Sequence, residues 1–183
     1  MDREPDQALV ERLRRGDGAA FRALVRKYQR PLYNAAYRVL GREEDARDIT
    51  QVVFLRVAER LDGYDARYKF FSWVYRIALN ESLNLLRRAG REEPLADDAD
   101  ETVIGESADP ESQMAAAQVS QQVQRALMSM KFTDRAVLTL RHFSECSYEE
   151  IAEILELKVE TVKSRLFEAR GRLRLLLKDT VTA

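Results

Sequence analysis

Polar and cationic side chains near the end of this 183-residue chain have the chemistry needed to contact nucleic acid. They share an amphipathic stretch with Val162, Leu166, Ala169 and Leu173, which recur at helical spacing and would pack inward. Arginine and lysine donate hydrogen bonds to guanine edges or to phosphates. Serine and threonine hydroxyls can hydrogen-bond to base edges or to phosphates, so the outer face could read DNA. The residues concerned are Thr161, Lys163, Ser164, Arg165 and Arg170.

A shorter amphipathic helix is predicted immediately before this stretch. Ser147 and Glu150 have the spacing of a capping box, and an apolar face follows, formed by Ile151, Ala152, Ile154 and Leu155. Residues 156–158 then make a tight connection, which gives helix-turn-helix spacing and places the second helix for the DNA major groove. The same pattern also fits two packed helices whose charged face is merely solvated, and spacing alone does not decide.

Aromatic and cationic side chains alternate over residues 69–90, a mixture suited to stacking on unpaired bases while cations hold the backbone. The set comprises Phe70, Phe71, Trp73 and Tyr75 together with Lys69, Arg76, Asn80, Arg87 and Arg88. Aromatic residues at helical spacing lie more often in a core, so the segment taken alone favours the core for Trp73 and Tyr75.

Two carboxylates mark the start of another predicted helix, in the segment DARDITQVVFLRVAERL of residues 45–61. Asp45 and Asp48 lie where the helix dipole favours anions, so helix capping would explain them. Contact with a partner protein is an equal alternative.

His142 and Cys146 are four residues apart, a spacing that can chelate a metal ion. A structural zinc site usually has four ligands, so two are too few, and we expect no metal. Nothing adjacent to Cys146 except His142 would lower the pKa of its thiol, which argues against a redox switch.

The elements that must position these residues are helices. Helical periodicity dominates the chain, with no alternating strand pattern and no Gly-rich phosphate loop, which predicts an all-α fold. Hydrophobic residues make up 45% of the chain and charged residues 33%, as in soluble globular proteins. The formal net charge is −1, so any nucleic-acid role must rest on local charge patterning.

Composition also bears on compartment and on domain division. One cysteine excludes an internal disulfide, and no apolar run approaches the ~18 residues of a membrane span. The first residues lack a signal peptide's apolar stretch, so we expect a cytoplasmic protein without membrane insertion. Acidic residues accumulate over residues 91–111, which predicts a flexible acidic linker of residues 91–112 between helical domains of residues 1–90 and 113–183.

Together these segments resemble the extracytoplasmic-function sigma factors, small bacterial RNA polymerase specificity subunits with only the second and fourth sigma domains. Residues 45–57 look like the family's core-polymerase-binding segment, and residues 72–80 are similar to its promoter-melting and minus-ten-reading segment. Residues 109–111 lie where the fourth domain usually opens, and residues 147–152 with 161–166 resemble its minus-thirty-five reader. The segments occur in the family's order across nearly the whole chain.

The resemblance implies a sigma factor that directs core RNA polymerase to promoters and assists DNA melting, with no catalysis and no cofactor of its own. Its partners would be core polymerase and promoter DNA, and many relatives are also held inactive by an anti-sigma factor. The site residues it implies are Asp45, Asp48, Gln51 and Phe54 for core polymerase; Tyr64, Arg67, Lys69, Trp73, Arg76, Asn80, Arg87 and Arg88 for the minus-ten element; and Thr161, Lys163, Ser164, Arg165 and Arg170 for the minus-thirty-five element.

The chain also departs from the family pattern. Arg47 stands where an acidic residue is common, the loop of residues 64–69 lacks a frequent glycine, and Lys131 replaces a common proline. Glu160 and Glu168 replace a usual glycine and a usual basic residue, so we expect unusual or weak minus-thirty-five recognition.

Two rival functions fit less of the sequence. A stand-alone helix-turn-helix regulator leaves the Trp73 and Asp45 segments unexplained. An enzyme is disfavoured because the chain has one histidine, no phosphate loop and no convincing pair of nucleophile and base.

Overall fold

The structure, a computed structural model, describes residues 4–90 and 110–181. Within these two ranges the regular structure is helical and contains no strand, which confirms the predicted all-α fold. The helices are α1 (Asp6–Arg14), α2 (Gly18–Leu40), α3 (Glu43–Arg60), α4 (Phe70–Arg88), α5 (Pro110–Met128), α6 (Phe132–Leu138), α7 (Tyr148–Leu155) and α8 (Val159–Val181). A 3₁₀ turn at Leu61–Gly63 follows α3, and a π-helical turn at Thr139–Phe143 follows α6. Most of the predicted acidic linker lies outside the described residues.

Helix α2 is the centre of the N-terminal half, and α1, α3 and α4 all pack against it. The side chain of Asp17 caps its N-terminus by accepting a hydrogen bond from the Ala19 amide at 2.8 Å. The helix ends at Gly41, whose φ of +78° is easily adopted only by glycine. This sharp end turns the chain directly into α3, which carries the predicted polymerase-binding residues.

The C-terminal half contains the predicted helix-turn-helix in α7 and α8. Ser147 and Glu150 form the predicted capping box, with reciprocal hydrogen bonds of 3.1 and 2.8 Å. The turn is closed by Glu156 in the left-handed region, at a φ of +55°. The apolar faces bury Ile151, Ala152 and Ile154 against Val162, Leu166 and Ala169, as the spacing predicts.

The two halves contact each other along two seams. In one, α5 packs on α2, where the Gln124 amide donates a 3.0 Å hydrogen bond to the Tyr37 carbonyl. Met128 packs so closely over Gly41 that a Cβ there would lie 2.4 Å from its sulfur. In the other seam, α4 packs against α7, so the helix-turn-helix lies directly on the aromatic and cationic segment.

No helix in residues 4–90 or 110–181 is both long enough and apolar enough to cross a bilayer.

Candidate nucleic-acid and polymerase interfaces

The outer face of α8 presents a short row of side chains to solvent. Lys163 and Ser164 are exposed, and Thr161 and Arg165 beside them are half-buried. The Ser164 hydroxyl donates a 2.9 Å hydrogen bond to the Glu160 carbonyl one turn earlier, so its oxygen stays available as an acceptor. Four of the five predicted minus-thirty-five residues therefore lie at the N-terminal end of α8, where a reading helix contacts base edges.

Phe167 lies on the same face and was not anticipated from the sequence. Its side chain is 80% exposed, an unusual state for a large apolar residue. Its spacing of i+4 from Lys163 and i+3 from Ser164 is the signal that could have revealed it, because such residues share one helical face. An apolar side chain on a reading helix can contact a thymine methyl group.

Arg170, the fifth predicted residue, is held by the protein. Its Nε donates a 3.1 Å hydrogen bond to Nε2 of His142. The pKa of His142 is lowered by burial and by the nearby Arg170 and Arg141. His142 is therefore engaged with Arg170, while Cys146 is buried and its pKa is raised to about 12 by burial.

The two unexpected glutamates of α8 differ in their surroundings. Glu168 pairs with Arg172 at 3.1 Å, and Arg172 also pairs with the buried Asp134. Glu160 is exposed in the first turn of α8, beside the row that contains Lys163 and Ser164. Both place negative charge near the surface that phosphates would approach.

Helix α4 carries a second row, which we call the cationic stripe. Its members follow one helical face at spacings of three, four and seven residues. They are Lys69, Trp73, Arg76, Asn80 and Arg87, with Arg88 next to the last of them. Asn80, Arg87 and Arg88 are exposed, and so is Lys69.

The aromatic residues of this segment divide between core and surface. Tyr75 is buried, which confirms the core interpretation for that residue. Trp73 is half-buried, with its ring 5.2 Å from Tyr64 and 5.7 Å from Phe70 between centroids. Trp73 therefore has one side in the core and part of its ring at the surface.

The loop of residues 64–69 is fixed at its base and open at its tip. Tyr64 is buried, and its hydroxyl donates a 2.6 Å hydrogen bond to the Tyr68 carbonyl. Arg67 pairs with Asp65 at 2.6 Å and holds the pKa of that carboxyl below its usual value. The Tyr68 ring is exposed, and sequence reasoning did not single it out.

Helix α3 exposes Asp48, Gln51 and Leu55 along one face. Asp48 lies beyond the first turn of a helix that begins at Glu43, so capping does not explain it. Phe54 is half-buried and packs edge-on against Phe21 at 6.3 Å. Leu55 is 62% exposed. The sequence did not reveal this, because Val53 and Phe54 directly before it are also apolar and a leucine in such a run usually lies in the core.

Asp45 and Arg47 lie at the start of the same helix. Asp45 is half-buried in the first turn, where the dipole stabilises a carboxylate. Arg47 pairs with Glu43 at 2.8 Å, so its unexpected charge is partly neutralised within α3.

Comparison with known proteins places these surfaces in a family. The family model for sigma-70 region 2 matches residues 24–92, and that for sigma-70 region 4 matches residues 120–173. The ECF RNA polymerase sigma-E factor of Escherichia coli K12 is 37% identical over 173 residues, which cover 90% of each chain. The RNA polymerase sigma-H factor of Pseudomonas aeruginosa is 34% identical over 178 residues, 93% of this chain and 92% of that one.

The chain belongs to the sigma-70 family.

Solved structures agree with this assignment. CnrH, in complex with the cytosolic domain of CnrY, matches with a TM-score of 0.70 and 25% identity over 95% of this chain and 97% of that one. The sigma factor RpoE from Bartonella quintana, in complex with the anti-sigma factor NepR, has the same fold, with a TM-score of 0.69.

Membership confirms the resemblance and the function that it implies. The chain is an RNA polymerase sigma factor of the extracytoplasmic-function type, which directs core polymerase to promoters and is not an enzyme. The region 2 match includes α3 and the cationic stripe of α4. The region 4 match includes α7 and the outer face of α8.

Proposed function

We propose that the exposed face of α3 binds core RNA polymerase. Asp48 supplies a charge that helix capping does not require, and Gln51 and Leu55 extend the face by two further turns. A charged and polar rim around one large exposed apolar residue suits a protein interface. Asp45 and Phe54 support this face from its half-buried side.

The cationic stripe of α4 engages the melted minus-ten strand in this proposal. Lys69, Arg76, Arg87 and Arg88 supply positive charge for the backbone, Asn80 supplies donors and acceptors, and the open part of Trp73 supplies a stacking surface. Arg67 and the exposed Tyr68 at the loop tip lie beside it. Tyr64 acts by positioning this loop, because its ring is buried.

The N-terminal part of α8 reads the minus-thirty-five duplex. Lys163, Ser164 and Arg165 contact base edges or phosphates, with Thr161 at the helix start and Phe167 against a thymine methyl. Arg170 positions the π-helical turn through His142. These contacts require residues 113–183 to act as a duplex-reading domain and residues 1–90 as the polymerase and minus-ten domain, with residues 91–112 as linker.

Two further inferences concern the cell. Core polymerase works in the cytoplasm, so this sigma factor acts there. The proteins CnrH and RpoE were each solved with a bound partner, CnrY and the anti-sigma factor NepR. An anti-sigma factor is by this likeness a proposed partner of the present chain.

The observation that carries the polymerase assignment is Asp48, and its reversal provides the test. Asp48→Lys should weaken the complex with purified core polymerase by about tenfold, since interfacial charge reversal typically costs over 1 kcal/mol. The matched control is Glu11→Lys, an exposed carboxylate of α1 outside the proposed interface. Dissociation constants from gel filtration and fluorescence anisotropy give the comparison, and equal binding by both variants would remove Asp48 from the interface.

A further inference from the structure

The cationic stripe is already partly occupied, by carboxylates of the same chain. The Lys69 ammonium lies 2.8 Å from a carboxylate oxygen of Glu150 on α7. Arg76 pairs with Glu156 at 3.2 Å and donates a 2.7 Å hydrogen bond to the Glu153 carbonyl. Glu150, Glu153 and Glu156 follow one side of α7 and its end, and we call this side the acidic edge.

We propose that the acidic edge of α7 is an intramolecular inhibitor that occupies the cationic stripe and keeps the free sigma factor closed to single-stranded DNA. The inference rests on the proposed role of the stripe in minus-ten binding. Carboxylates replace the phosphates that Lys69 and Arg76 would otherwise contact, so strand and acidic edge compete for the same cations. Because α7 also packs against α8, opening would move α8 away from the stripe together with the acidic edge.

Opposite charges meet in both ion pairs between the two surfaces. The Glu150 carboxylate holds the pKa of Lys69 above its usual value, and Lys69 in turn lowers the pKa of Glu150. Glu150 thus uses one carboxylate oxygen for the capping box and the other for the stripe. One side chain therefore stabilises α7 and attaches it to α4.

Glu156 occupies a position that ordinarily favours glycine. Its φ of +55° is strained for a residue with a Cβ, and helix ends of this kind usually carry glycine or asparagine. A glutamate here sacrifices local stability, and its carboxylate pairs with Arg76. The cross-contact gives a physical reason for a charged residue at this turn.

The closed contact also leaves buried polar atoms without hydrogen-bond partners. This lowers its stability, as a reversible contact requires. Among the described side chains, Nε of Arg76 and one carboxylate oxygen of Glu153 are buried without a hydrogen-bond partner. Unpaired buried polar atoms reduce the stability of an interface. A pocket of about 370 Å³ that is open to solvent also lies between the halves, lined by Phe71 and Tyr75 on one side and Phe143 on the other.

Arg135 near the other seam adds to this cost. It is only 2% exposed, its pKa is lowered to about 10 by burial, and two of its guanidinium nitrogens have no acceptor. Its third nitrogen is 3.7 Å from the sulfur of Met128, which packs over Gly41 of the other half. A buried cation without a carboxylate destabilises the packing around it, which favours release when a partner competes.

Zero-length coupling tests the contact directly in the full-length protein. A carbodiimide joins a carboxylate to an amine only where the two are in contact, so the free protein should yield an amide between Lys69 and Glu150, identified by mass spectrometry. Adding core polymerase should reduce its yield severalfold. Absence of this amide from the free protein, while other salt-bridged pairs such as Lys27 with Asp6 do couple, would overturn the proposal.

Variants test the competition with DNA. Glu150→Gln retains the capping box, and Glu156→Asn retains a residue that tolerates the left-handed region. Each exposed ion pair shifts an equilibrium by roughly two- to fivefold. The double variant should therefore bind a labelled mixed-sequence single strand of about 12 nucleotides some fivefold or more tightly, as free protein.

The control removes two other negative charges from the same half of the protein. Glu149→Gln with Glu145→Asn changes two exposed carboxylates that contact no residue of the stripe, and Glu145 has the same left-handed φ of +55° as Glu156. This control should leave strand affinity within about twofold, which separates release of the stripe from a general loss of negative charge. Circular dichroism checks that all variants fold. Equal strand affinity in the wild type and both double variants would overturn the proposal.

A promoter assay separates this inference from the proposed function. Initiation by wild-type holoenzyme tests the proposed function alone, because the proposal requires the stripe to be open once core polymerase is bound. If the holoenzyme initiates but the acidic-edge variant binds the strand no better than wild type, only the inhibitory contact is wrong.

Discussion

Reversing the charge of Glu168 should strengthen binding to the upstream duplex. Glu168 is 60% exposed on α8. Glu168→Arg replaces a negative charge, which DNA phosphates repel, by a positive charge, which they attract. At about 7 Å from a phosphate and at physiological salt, each unit of charge contributes a few tenths of a kcal/mol. Summed over two or three phosphates, reversal should gain about 1 kcal/mol, or about fivefold in affinity.

The fold should tolerate this change. Glu168 pairs only with Arg172, and an exposed i,i+4 pair contributes little to the free energy of unfolding. Arg172 retains its pair with the buried Asp134, which anchors α8 to α6. Binding, rather than stability, should therefore register the substitution.

A closely matched control exists on α3. Glu59 is 59% exposed and pairs with Arg56 at 3.1 Å, while Arg56 retains Glu81 just as Arg172 retains Asp134. Glu59→Arg thus makes the same charge change in the same surroundings, away from α8. It should leave upstream affinity unchanged.

The assay measures upstream-duplex affinity of each purified holoenzyme across a salt series, alongside start-site mapping. Glu168→Arg should also steepen the slope of log K against log salt by about 1 to 2, because released counterions accompany each new phosphate contact. Adding Glu160→Gly should extend both effects without moving the start site. If Glu59→Arg and Glu168→Arg change the affinity equally, or neither does, the outer face of α8 does not approach DNA.

Two stability predictions follow from burial. Burial raises the pKa of the Cys146 thiol from 9.0 to about 12 in the folded state. The stability that the protonated thiol contributes to the fold is therefore complete below pH 9 and is lost as the pH rises toward 12. In urea titrations between pH 9 and 11, the wild type should lose about 1 kcal/mol per pH unit more than Cys146→Ala, and parallel slopes would contradict this. Leu166→Ala should cost about 2 to 4 kcal/mol, because Leu166 is 1% exposed, while Leu175→Ala on the same helix should cost under about 0.5. Equal urea midpoints for the two leucine variants would mean that the inner face of α8 is misassigned.

Features with a local cause could be predicted from the sequence alone. The capping box of Ser147 and Glu150, the turn at residues 156–158 and the inward Val162 and Leu166 all depend on residues within one or two helical turns. For the same reason the outward Lys163 and Ser164 were placed correctly on the exposed side. The family itself could be recognised because its segments are contiguous and ordered along the chain.

The availability of each polar side chain depended on the tertiary structure. The family resemblance put Arg170 and Tyr64 among the binding residues, yet Arg170 is bonded to His142 and Tyr64 is buried beneath its own loop. Periodicity identifies the apolar face of a helix but not the helix that will cover it. Each of these partners is set by packing between elements.

The contact between Lys69 and Glu150 is the clearest example, because 81 positions separate the two residues in sequence. The sequence alone determined that this chain carries a cationic stripe on one helix and a helix-turn-helix on another. Only the tertiary structure decided that the acidic edge of the second lies on the stripe of the first. The reason is physical: helix formation and capping depend on neighbours within a few residues, whereas charge pairing between distant segments depends on how whole amphipathic helices pack.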